Sequence, residues 1–303
     1  MANAKDIKRK IKSIKNTAKI TGAMEMISTV KMKKAQDLAL SKKEFVIEIL
    51  RMFMHLEKSF EDFPLFSEKE WKKTLAVVVT SNKWLCWGYN INVLKKVNSY
   101  IEETWEDLEF ITIWNKAANF VASTWNILLA NFSEDFSDEI KSYFTKSVVD
   151  LIMTEFLTWK YKKVKIFYNY YVSAIKQIPV SRSFLPISKE WVKDYLLKIA
   201  SDYIDVDKEI EKAENMKEIV VEPSKGELAE KILPIIVHMM FFDIMLEAKA
   251  SEHSSRMIAM KNAKEAAVKI AKRLTIQYNK ARQAMITREV SEITAWVESM
   301  KDI

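Results

Sequence analysis

After Pro234 the chain carries neither proline nor glycine through Ile303. Along that stretch apolar residues return at Met260, Ala263, Ala267, Ile270, Leu274, Tyr278, Ala281 and Met285. Steps of three and four over several heptads predict one long helix with a single narrow apolar seam. At 1.5 Å per residue such a helix reaches about 100 Å. A seam of small and medium side chains needs a partner helix in water, because most helical stability comes from packing. The other end of the chain offers one. From Ala4 to about His55 there is no proline and a single glycine, Gly22. Ile7, Ile11, Ile14, Ala18, Met24, Ile27, Met32 and Ala35 fall close to one helical stripe, with lysines on the other face. The alternative is two ordinary amphipathic helices lying on one globular core.

Between these ends strand and helix patterns alternate. Thr74 to Thr80 (TLAVVVT) is a β-branched apolar run of the kind buried on both faces of a sheet. Leu108 to Ile113 and Val164 to Tyr171 read as further strands, and Glu218 to Glu222 as an edge strand. Helical stretches are expected near Ile91 to Glu106, Lys116 to Leu129 and Ser137 to Leu157. The alternation predicts an α/β layer with a mostly parallel sheet. The expected division is an N-terminal helix over 1–55, a central α/β domain over 56–223 and a C-terminal helix over 224–303.

The chain lacks an apolar run long enough to span a bilayer, and its start has no apolar h-region. The start reads as mature sequence. A lone cysteine, Cys86, excludes an internal disulfide and fits a reducing compartment. The net charge is +7 and uneven: Lys5, Lys8, Arg9, Lys10, Lys12, Lys15 and Lys19 face one acid, Asp6. Such an end suits an acidic partner: nucleic acid, an anionic membrane or an acidic protein surface. Aromatic residues are not interleaved with these lysines, which weakens the nucleic-acid reading. No phosphate loop, dinucleotide fingerprint, metal-ligand spacing or nucleophile with a base is present. No cofactor, metal or catalytic residue is expected, and the balance shifts toward a mechanical or binding role.

Three segments carry a family likeness. KITGAMEMISTVKMKKAQ, ending at Gln36, resembles the N-terminal signature of gamma subunits of rotary (F-type) ATP synthases, bacterial type. SEHSSRMIAMKNAKEAA (Ser251 to Ala267) and YNKARQAMITREVSEI (Tyr278 to Ile293) resemble their C-terminal signature. The resemblance implies an antiparallel coiled coil of the two terminal helices with a central Rossmann-like α/β domain. It implies a non-catalytic rotor shaft that couples proton or sodium flow through a membrane c-ring to the catalytic sites of an alpha/beta hexamer. The implied partners are the alpha and beta subunits, epsilon and the c-ring, with no nucleic acid. The implied location is the cytoplasmic side of the bacterial plasma membrane, reached only through the complex. The family's contacts with the beta-subunit loops map onto Met24, Lys31, Arg282, Gln283 and Thr287. The competing reading is a basic coiled-coil protein that binds nucleic acid, and a third is a small α/β enzyme with helical arms.

The middle matches less closely. SNKWLCWGYNINVLKK follows the first strand, where the family reads Gly-Leu-Cys-Gly-Gly, and Trp84 and Trp87 replace two of those glycines. Trp114, Trp159 and Trp296 pose the same question. The chain has three glycines and nine tryptophans, where average usage gives roughly 7% glycine. Tight turns need a residue that tolerates positive φ or close backbone approach, and tryptophan is the bulkiest choice. Glycine in the living protein, encoded by UGA and translated on paper as tryptophan, is one expectation. A drifted loop filled with aromatics is the other.

Overall fold

A computed structural model describes residues 4–41, 45, 47–49, 52–53, 63–67, 73–82, 84–133, 142–158, 160–188, 192, 195 and 224–300. They divide into two compact units. One comprises Val30–Ser255, the other Met1–Thr29 with Arg256–Ile303.

The first unit holds a five-stranded sheet: β1 (Lys73–Val79), β2 (Asp107–Ile113), β3 (Ile127–Phe132), β4 (Lys163–Tyr171) and β5 (Gln177–Leu185). Their order is β3-β2-β1-β4-β5. The four strands from β3 to β4 are parallel, and β5 returns antiparallel beside β4. Helix α2 (Trp87–Thr104) joins β1 to β2, α3 (Asn115–Ser123) joins β2 to β3, and α4 (Ser142–Leu157) precedes β4. Alternate residues of β1 serve opposite faces, as the strand period of two dictates. Leu75, Val77 and Val79 join Ile111, Ile166, α4 and the start of the long C-terminal helix. Ala76 and Val78 join Phe110, Phe167, α2 and α3. Helices therefore cover both faces, which is why β1 reads as an unbroken apolar run.

Two elements differ from expectation. The stretch Lys116 to Leu129 is a helix only to Ser123 and then becomes β3. Strand β5 was not anticipated; it carries Pro179, which a sheet tolerates only on an edge. Residues 218–222, expected to form an edge strand, lie outside the described residues. The turn after β1 is a single 3-10 turn, Trp84–Cys86, and Trp87 opens α2. Neither tryptophan has a left-handed backbone, and Trp296 sits within a helix. Trp159 lies outside the described residues.

The long helices are α1 (Ala4–Leu40) and α5 (Lys225–Ser299). Ser224 caps α5: its hydroxyl accepts the Glu227 N–H at 3.2 Å, and Ser-Lys-Gly-Glu has capping-box spacing. In the second unit α1 and α5 pair. Lys264 reaches Glu25 at 3.2 Å. On α1 the covered positions follow a three-four repeat, Ala4, Ile7, Ile11, Ile14, Ala18, Thr21, Glu25 and Ser28, widened at Gly22 and Met24. On α5 the repeat runs through Arg256, Met260, Ala263, Ala267, Ala271, Leu274, Tyr278 and Ala281, with Met257, Ile258, Ala259 and Thr275 also covered. Coverage on α5 ends at Ala281, which matches α1 reaching its first turn when the pair is antiparallel. Three expected seam residues are displaced. Ile27 is 55% exposed, Ile270 48% and Met285 46%, while Ser28 and Ala271 take the seam. Close helix approach selects small side chains there, and the bulkier neighbours turn to solvent.

Gly22 lies on this seam, and the nearest atoms a Cβ there would meet belong to the flexible Lys264 chain, from 3.4 Å. Gly22→Ala is expected to stabilise the helix pair by about 0.5–1 kcal/mol, read as a higher denaturant midpoint. A lower midpoint would mean that the two backbones need the closer approach.

Candidate partner-contact site

In open α/β sheets ligands sit outside the carboxyl ends of the strands, where the strand order reverses. Here that place, beside β1 and β4, is filled by the protein's own α5. Tyr168 donates to Glu247 at 2.8 Å, and Tyr89 donates to the Ala248 carbonyl at 3.2 Å. Ser254 donates to the Ala174 carbonyl and accepts from Gln177 at 2.9 Å. Asn90 and Ser81 bond each other in the β1–α2 turn, with Cys86 donating to Ser81 at 3.2 Å. Lys249 and Glu252, 3% and 2% exposed, pair at 2.9 Å, and the Lys249 ammonium lies 4.0 Å from the Trp114 ring centre. The motif Ser251-Glu252-His253-Ser254 is thus buried. Glu247, Ala248 and Ser254 together tie the long helix to the sheet through directional bonds, which resist rotation better than an apolar contact alone.

The amino ends of the strands carry a second polar cluster. Glu109 on β2 accepts from Lys73 (2.9 Å), Lys160 (2.7 Å) and Tyr161 (2.5 Å). Burial alone would raise its pKa, but these donors overcome that and hold it at about 2. Burial, together with the bond to Glu109, pushes the Tyr161 hydroxyl up to about 12. Next to it Glu106 accepts from Lys163, Tyr100 and Thr74, which outweigh burial and lower its pKa. Three parallel strands are clamped where their side chains leave the core.

On the paired helices, Arg282, Gln283 and Thr287 are exposed on α5 and Met24 is half-covered on α1. Thr287 donates to the Gln283 carbonyl one turn back, at 2.9 Å. Lys31 is also on α1, half-covered, within the sheet-bearing unit. Lys5, Lys8, Arg9, Lys10, Lys12, Lys15 and Lys19 are exposed. Apart from Ile27, which was expected on the seam, periodicity did not single out the residues of two apolar faces. One is Ile20, Met26 and Ile27 on α1, at 60%, 70% and 55% exposure. The other is Ile286, Val290, Ile293, Val297 and Met300, a three-four stripe near the end of α5 that is at least 48% exposed throughout. For the residues other than Ile27, the available signal was that they are apolar yet off the expected seam. Among the described residues no helix is long and apolar enough to cross a membrane.

A ligand crevice closed by the protein's own helix, and a helix pair with bare apolar and basic faces, define a protein built to work against partners. The ATP synthase family model matches residues 3–300. The ATP synthase gamma chain of Akkermansia muciniphila is 35% identical over 303 residues, covering 99% of this chain and all of that one. The gamma chain of Cytophaga hutchinsonii is 30% identical over 318 residues and covers both chains fully. A chain of the Euglena gracilis mitochondrial ATP synthase OSCP/F1/c-ring structure shares the fold, with a TM-score of 0.63 at 16% identity over 98% of this chain and 94% of that one. A chain from the Tetrahymena thermophila central stalk and c-ring structure gives 0.57 at 20% identity over 80% and 99%. The chain belongs to the ATP synthase gamma-chain family.

Proposed function

We propose that the chain is the central rotor shaft of an F-type ATP synthase. The α1/α5 pair turns inside an alpha/beta hexamer, while the α/β layer rides with epsilon on a membrane c-ring. Ion flow turns ring and shaft together, and the asymmetric shaft drives the catalytic sites of other subunits through their cycle. The observation that carries this reading is the anchoring of α5 across the carboxyl end of the sheet, because a shaft must be locked to what drives it. Its place is the cytoplasmic face of a bacterial plasma membrane, held there by the complex. Membership of the gamma-chain family leaves the reading as a nucleic-acid-binding coiled coil without support.

Met24, Lys31, Arg282, Gln283 and Thr287 are proposed to meet the beta-subunit loops. An arginine fork suits a carboxylate, and a glutamine amide both donates and accepts. Such contacts are partly solvated and modest, each worth about 0.2–1 kcal/mol. Arg282→Ala with Gln283→Ala is therefore expected to weaken binding to an alpha/beta hexamer roughly five- to tenfold. The melting temperature of the isolated chain should stay unchanged, since both side chains are exposed. Unchanged affinity and unchanged ATP turnover in the reconstituted complex would remove both residues from the contact.

A further inference from the structure

Every described residue with positive φ, glycines included, is a tryptophan: Trp105 (51°), Trp114 (71°) and Trp125 (56°). A bulky residue in the left-handed region is a steric outlier, because its Cβ crowds the following carbonyl. Each of these sits where a helix meets a turn. Trp105 ends α2 with φ 51°, ψ 26°, and its N–H donates to the Ile101 carbonyl at 3.1 Å. That five-to-one bond is the αL termination motif, whose left-handed position is usually glycine. Trp125 follows α3, and the N–H of the next residue, Asn126, donates to the Val121 carbonyl at 3.3 Å. That six-to-one bond is the Schellman motif, with Trp125 again in the glycine position. Trp105 and Trp125 are 90% and 96% exposed, so neither side chain buries anything to offset its strain. Trp114 has φ 71°, ψ 152°, a combination essentially restricted to glycine, at the junction of β2 and α3.

We infer that residues 105, 114 and 125 are glycine in the protein the organism makes, inserted at UGA codons that a translation assigning UGA to tryptophan renders as tryptophan. Three independent positive-φ positions, one substituting residue and three glycines in 303 residues share this single cause. The helical tryptophans Trp87 and Trp296 carry no such backbone argument. At position 114 a glycine would withdraw the ring beside Lys249 and leave the Lys249–Glu252 pair in place.

The test is peptide mass spectrometry of the complex purified from the organism that carries the gene. Trypsin releases Val97 to Lys116, which contains positions 105 and 114, and Ala117 to Lys141, which contains position 125. Glycine masses at all three are expected, with UGA in the gene. Tryptophan at any of them, or a UGG codon there, overturns the inference for that position. A second readout is independent of the source organism. In a chain made with tryptophan at these sites, Trp105→Gly and Trp125→Gly should each raise the melting temperature by about 2–4 °C. A fall at either site contradicts the backbone argument.

Discussion

Glu252→Ala should destabilise the chain by about 3–5 kcal/mol, because it leaves the Lys249 ammonium buried without its counter-charge. Glu252 and Lys249 are 2.9 Å apart and almost wholly buried. Replacing both with apolar residues of similar volume should cost far less, since desolvating two ions offsets much of their attraction. Urea unfolding of the two variants separates these outcomes. Equal losses would mean that the cost comes from packing and not from the stranded charge. The consequence for function is specific. A loosened Glu247-to-Ser254 segment would weaken the grip of α5 on the sheet, so ATP hydrolysis by the assembled complex should continue while ion pumping falls.

Glu109→Gln should cost about 1.5–3 kcal/mol near neutral pH, the range for hydrogen bonds to a charged group. Its dependence on pH identifies the cause. The Glu109 carboxyl titrates near 2 in the folded chain, below its ordinary 4.5. A group with a lowered folded pKa contributes stability that is fully present above its unfolded value and is lost as pH falls through the folded value. The gap in stability between the parent chain and the variant should therefore be constant above about pH 5 and shrink from 4.5 toward 2. On the alkaline side Lys160 has a raised pKa, first through its hydrogen bond to Glu109. Its share persists below 10.5 and disappears as pH rises beyond that. A gap independent of acid pH would assign the loss to packing of the strand ends.

The long helices were legible because a three-four repeat with few helix breakers admits few other folds; Gly22 lies in α1, and Gly226 and Pro234 lie near the start of α5. Strands β1, β2 and β4 were legible because strands covered on both faces are almost wholly apolar. What escaped has physical causes. The seam register could not be chosen by hydrophobicity, since Thr21, Glu25 and Ser28 occupy it while Ile27 faces solvent. Strand β3 was merged into the preceding helix because the turn between them, Thr124-Trp125-Asn126, lacks the glycine that normally announces a helix end. Strand β5 is a half-exposed edge with mixed polar residues, and its pairing with β4 is decided across the hairpin and not locally. The Ser251-to-Ser254 motif was recognisable, but its burial is tertiary, with Ser254 bonded to Ala174 and Gln177. Among the tryptophans, comparison of turn sequences found Trp114, and only backbone angles could find Trp105 and Trp125.

The rotor assignment is tested most directly by co-purification with an alpha/beta hexamer of a bacterial relative. The account predicts a stable complex with one copy of this chain per hexamer, whose ATP hydrolysis drives rotation of the α/β layer against the fixed ring. Failure to bind the hexamer, or binding that leaves the layer stationary during hydrolysis, would contradict it.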